Sequence, residues 1–132
     1  MKPSSAKGKG RRLQNFLRDK LYTYFPSLRN GDIKTAIMGE SGEDIILSPT
    51  AKDFIPYSFE CKNQERLNIW ESLNQAEGNS DDRVPVLIFK RNRTKTYAAI
   101  ELESFLELIG ETDDRTKEWN SYVCCASRKH YK

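Results

Sequence analysis

"SFECKN", residues 58–63, decides how this chain reads. Side chains along a strand alternate between faces, so Tyr57, Phe59 and Cys61 share one side and Ser58, Glu60 and Lys62 the other. The first set suits a core. The second sets a carboxylate beside an amine, and charged groups seldom enter a protein interior unpaired. Sixteen residues before Glu60, Asp44 opens the apolar run "DIIL" behind the turn-rich "GESGE". If the two strands pair antiparallel, Asp44 and Glu60 converge at one end of a sheet. Two carboxylates that close repel each other unless a cation lies between them, and all-oxygen ligation suits Mg²⁺ or Mn²⁺. A lysine beside that cation can orient a water or stabilise charge developing on a phosphoryl oxygen. These are the parts of metal-assisted phosphodiester hydrolysis. The residues alone also admit a solvated Glu–Lys pair on a strand face, an arrangement worth little.

The rest of the chain narrows the classes. Its 132 residues give room for one domain with its own core. No apolar run approaches a membrane span and the N-terminus lacks the apolar segment of a signal peptide, so a cytoplasmic setting without membrane contact is expected. Cys61, Cys124 and Cys125 have neither disulfide-framework nor zinc spacing. His130 is the single histidine, which weighs against histidine triads and histidine metal sites. The net charge of +3 is mild but unevenly placed. Lys7, Lys9, Arg11 and Arg12 precede the first acidic residue, and "KRNRTK" sets Lys90, Arg91, Arg93 and Lys95 together. Such clusters suit a phosphate backbone, with a solubilising arm as the alternative.

Residues 1–9 read as a flexible basic arm and 111–132 as a polar tail around a 10–110 body. Leu13, Phe16, Leu17, Leu21 and Tyr24 have helical spacing up to Pro26. Strands are expected at Ile33–Met38, "DIIL", "YSFECK", "VPVLIF" and "YAAIEL". Ser48 caps and Pro49 starts a helical turn between the second and third. A helix is expected from Leu67 to Ala76, with Trp70 packing inward, and another over "ESFLELI". "VPVLIF" is apolar enough to be central. The order α-β-β-β-α-β-β-α predicts a mixed α/β fold with a mixed sheet. Asp32-Ile33-Lys34 repeats the acid-x-Lys pattern but lacks an upstream acid heading an apolar strand, so it is set aside.

With "SGEDIIL", "FECK" and "LNIWESLNQA" in this order, the chain resembles the PD-(D/E)xK nuclease superfamily, and within it phage-encoded, archaeal-type Holliday-junction resolvase-like endonucleases. The resemblance covers roughly residues 10–108. It implies a restriction-endonuclease-like core, α-β-β-β-α-β, here with an extra strand and a C-terminal helix. It implies Asp44, Glu60 and the Cys61 backbone carbonyl as metal ligands, Lys62 as the catalytic lysine, Ser41 near the scissile phosphate, and Gln75 as a polar residue of the following helix. The implied activity is Mg²⁺-dependent cleavage of branched DNA by a homodimer. A restriction-like nickase, a repair nuclease and an inactive DNA-binding module of the same fold are the alternatives. Two positions depart from the pattern. Glu43 stands where a proline usually precedes the aspartate. Gln14 stands where the first helix often supplies a glutamate, either as a site residue or as a surface amide, with Glu40 as a compensating acid.

Overall fold

The computed structural model describes residues 3–37 and 42–111, which fall into two units, one up to Ile100 and one from Glu101. In the first unit, helix α1 spans Pro3–Tyr24. A proline at a helix start is pre-set for the first turn, and residues 3–9, expected as an arm, continue the helix instead. Leu13 and Leu21 are buried and Leu17 packs beside them, one apolar stripe at helical spacing. Strands β1 (Ile33–Thr35) and β2 (Ile45–Leu47) form an antiparallel pair, with Ile33 opposite Leu47 and Thr35 opposite Ile45. Ile33, Ile45 and Leu47 point into the core, while Ile46, out of phase, is exposed.

Ser48 caps α2 (Pro49–Phe54), its hydroxyl accepting from the Ala51 N–H at 3.0 Å. The same hydroxyl donates to Asp32, whose carboxylate also accepts from the Arg29 N–H. These bonds, the one from Ser48 first, hold the Asp32 carboxyl below its ordinary value. The first acid-x-Lys copy is therefore a turn and cap device.

Strand β3 (Tyr57–Asn63) runs through α3 (Ile69–Gly78) into β4 (Val84–Lys90), which lies parallel to it with Glu60 beside Leu87. A parallel return needs a crossover of this kind. Strand β5 (Tyr97–Ile100) follows antiparallel to β4, giving the order β3-β4-β5 with the apolar β4 central, as its composition predicts. Phe59, Cys61, Val86 and Ile88 face the core shared with α1, β1, β2 and α2. The other face meets α3, where Ser72 and Ala76 are buried with Leu87. Trp70 lies two positions from Ser72, on the far side of the helix, and is 78% exposed rather than packed inward. In the second unit, α4 spans Leu102–Gly110. The fold is mixed α/β with a parallel and an antiparallel pairing in one sheet.

The expected antiparallel ladder between the second and third strands is absent among the described residues. β2 pairs only with β1, and the link to β3 is a single main-chain bond from the Asp44 N–H to the Phe59 carbonyl, 3.2 Å. The loop ahead of Asp44 is pinned from the other side. Glu43 accepts from the buried Arg83 guanidinium at 2.6 Å and from the Ser58 hydroxyl at 3.3 Å. Arg83 also donates to the Tyr57 carbonyl, and the Asn79 amide to the carbonyl of Gly42, whose φ of +110° favours glycine. Removing one partner of a buried ion pair strands the other, so Arg83→Ala should lower the unfolding free energy by about 3 kcal/mol in urea titration. A loss below about 1 kcal/mol would show that the pair behaves as a solvated one.

Candidate active site

Asp44 reaches β3 through its side chain as well as its main chain. Its Oδ2 accepts from the Cys61 N–H at 2.7 Å. Odd-numbered residues of β3 present their main chain at the edge away from β4. Along that edge lie the Tyr57 carbonyl, held by Arg83, and the Phe59 carbonyl and Cys61 N–H, held by Asp44. The Cys61 carbonyl is the next acceptor in the row. Glu60 points to the α3 side and is only 3% exposed, with Lys62 Nζ 3.6 Å from its Oε2. Glu60 is buried and Lys62 half-buried, so the pair is not the solvated alternative.

A cleft of about 390 Å³ joins these groups. Asp44, Glu60, Cys61 and Lys62 line it together with Gln14 from α1, Gln75 from α3 and Lys7. Gln14 is 7% exposed, so it is no surface amide. Ser41 and Glu40 lie outside the described residues. The other basic residues stand elsewhere. Arg12, Lys90 and Lys95 line a separate cleft, Arg91 a third, Arg11 and Arg93 are exposed, and the Lys9 carbonyl accepts from the Asn63 amide at 3.2 Å.

The electrostatics follow from burial. Burial, and then the neighbouring Asp44 carboxylate, raise the Glu60 carboxyl to about 7, against the pull of Lys62. Burial raises Asp44 as well, opposed by the Cys61 N–H and Lys62. The Cys61 thiol is pushed up by burial and by both carboxylates, so it stays protonated and inert. Two buried oxygens, Gln14 Oε1 and Glu60 Oε1, have no hydrogen-bond partner among the described residues. A buried acceptor left unmatched is costly. Two orphaned oxygens in the cleft that holds a second carboxylate fit a hard, oxygen-seeking cation. Among the described residues no three His, Cys, Asp or Glu side chains gather to hold a metal. The oxygens that the cleft would offer such a cation are two carboxylates, an amide and main-chain carbonyls.

The family model described as "Phage putative PDDEXK endonuclease" matches residues 25–130. The chain belongs to this family. Neither a curated protein nor a solved structure matches it. Membership makes it a phage-type PD-(D/E)xK nuclease, and the mixed α/β architecture is the one that class requires. The match takes in Asp44, Glu60, Lys62 and Gln75 and begins after α1, so Gln14 reaches the cleft from a helix outside the matched residues. Sequence reasoning missed Arg83 and Asn79, which hold the loop before Asp44. Their signal lay in long-range pairs that no local spacing reveals.

In chelator-treated PDDEXK protein, folded Glu60 keeps a proton up to about pH 7, while an unfolded chain releases it near 4.5. The unfolded state then binds fewer protons, so stability should fall as pH rises through that window, with Asp44 adding in the same direction. Calorimetric melting between pH 5 and 8 should show the decline, Mn²⁺ should recover it, and Glu60→Gln should flatten it. Gln14→Glu adds a charge to the same cleft and should tighten Mn²⁺ binding in titration calorimetry; unchanged affinity would place residue 14 outside the donor set.

Proposed function

We propose that this nuclease is a divalent-metal-dependent endonuclease that cuts branched DNA, four-way junctions included, as a homodimer. The observation that carries the reading is the single cleft holding Asp44, Glu60 and Lys62 with two orphaned buried oxygens. Asp44, Glu60, the Cys61 carbonyl and Gln14 Oε1 would hold Mg²⁺, or Mn²⁺ in its place. Bound there, the ion supplies Lewis-acid charge to the phosphoryl group and acidifies water.

The chain's own residues do the rest. Lys62, tethered beside Glu60, faces the charge that develops on the phosphoryl oxygen and orients the attacking water. Gln75 lines the same cleft, and Ser41 of the loop before Asp44 is assigned to the scissile phosphate. Lys7, Lys9, Arg11, Arg12, Lys90, Arg91, Arg93 and Lys95 track phosphates without reading sequence. One chain carries one such cluster and makes one cut per visit, whereas resolving a junction takes two cuts on symmetry-related strands. A two-fold dimer supplies them at fixed separation. On α4, Leu102, Phe105, Leu106 and Ile109 recur at helical spacing and offer an apolar stripe for self-association.

Labelled linear, nicked, forked and four-way DNA, incubated with and without Mg²⁺, tests substrate class and metal dependence together, with sedimentation for the dimer. Lys62→Ala should slow cleavage by about 10²–10³-fold, the scale for losing one donor aimed at developing charge. Glu60→Gln should abolish cleavage, and both variants should bind DNA as the wild type does. Full turnover in the two variants would remove the assignment, and equal cutting of linear duplex by a monomer would remove the junction claim.

A further inference from the structure

Helix α1 walls off two clefts. Residues 14 and 16 point about 200° apart around a helix, and the two sides differ in chemistry. Gly10 and Gln14 face the catalytic cleft, while Arg12, Phe16 and Lys20, one turn apart, line a second groove of about 750 Å³ against β4 and the β4–β5 hairpin. Among the described residues, four cations, Arg12, Lys20, Lys90 and Lys95, line this groove and no carboxylate does. Its helix aromatics are open to solvent, Phe16 at 47% and Tyr24 at 75% exposed, and they alternate with Arg12 and Lys20 at four-residue spacing along α1. Lys20 Nζ lies 5.5 Å over the Phe16 ring. Tyr97 borders the groove, but its ring packs on its cross-strand partner Phe89, centroids 6.1 Å apart, on the face of the sheet that meets α3. Asn63, at the end of β3, lines both this groove and the catalytic cleft, so the two meet there.

We propose that this groove binds an unpaired DNA strand, bases stacked on Phe16 and Tyr24 and phosphates along Arg12, Lys20, Lys90 and Lys95. Duplex DNA hides its base faces and has no use for exposed rings, whereas single strands pair a cationic track with aromatic platforms. The cationic lining selects an anion. The chain's own residues 112–132, with five Lys or Arg against three Asp or Glu, are not the charge complement of such a lining. The assignment rests on the nuclease reading only for its consequence: a strand leaving the duplex is led away past Asn63, so the preferred substrate carries a single-stranded arm.

Fluorescence anisotropy with labelled oligo-dT and with a duplex of equal length, in chelator so that nothing is cut, tests the groove apart from the chemistry. Oligo-dT should bind more tightly than duplex. Tyr24→Ala, at an exposed position, should weaken oligo-dT by about tenfold, the low end of one lost base stack, and leave duplex binding unchanged. Lys95→Gln should reduce the log–log salt slope for oligo-dT by about 0.7. Those effects in a protein that cuts no DNA would support the groove while removing the nuclease reading. A cutting enzyme whose Tyr24→Ala and Lys95→Gln forms hold oligo-dT like wild type would overturn the groove alone. Dissociation of a dimer by Tyr24→Ala in sedimentation, with oligo-dT affinity unchanged, would give the groove to a second copy and overturn the proposal.

Discussion

Asp44 grips β3 twice, with its N–H on the Phe59 carbonyl and its carboxylate on the Cys61 N–H, and the site depends on that double hold. No ladder ties β2 to β3 among the described residues, so this residue performs locally what a run of strand pairing would do elsewhere. The hold fixes one carboxylate oxygen at the edge of β3, next to the strand that carries Glu60 and Lys62. It also carries a cost. A main-chain donor favours the ionised form of Asp44, which keeps negative charge beside a Glu60 already withdrawn from water. The cleft is stable against its own repulsion only through protonation, Lys62 or a cation.

The loop ahead of Asp44 solves a related problem. Without a proline to stiffen the approach, Glu43 is drawn back to Arg83, and Gly42 is tied to Asn79 at the end of α3. These bonds tie Gly42 and Glu43, just ahead of Asp44, to the end of α3 and to the turn that follows it. An acidic residue at position 43 would otherwise add to the charge of the site. Paired with Arg83 it is spent on structure.

Much of this was legible in the sequence because it is local. The alternation in "YSFECKN" gave the two faces of β3, the apolar "VPVLIF" its central place, and Ser48-Pro49 the start of α2. Asp44, Glu60 and Lys62 were found through their order along the chain, and one cleft contains them. What stayed hidden depends on partners far apart in sequence. Gln14 borders a leucine stripe, and only the approach of β3 decides whether such a border position is buried. Arg83 reads as a loop arginine until Glu43 arrives from forty residues away. The helix extension to Pro3 and the exposure of Trp70 were misjudged for opposite reasons. Glycines and lysines looked too weak to hold a helix, and an indole looked too apolar to face water.

The amide at position 14 fits the same electrostatic logic. A glutamate there, as the superfamily resemblance suggests, would place a third carboxylate among groups whose charge is already suppressed by burial, raising Glu60 further. An amide oxygen brings a donor without charge, so it attracts a cation less but repels its neighbours not at all. With two carboxylates and Lys62, the side chains of the site sum to one negative charge when ionised, and a divalent cation held there would overbalance them. The excess positive charge would fall where a phosphodiester, itself an anion, would enter. A site poorer in carboxylates would thus trade some hold on a metal for a stronger pull on the phosphate.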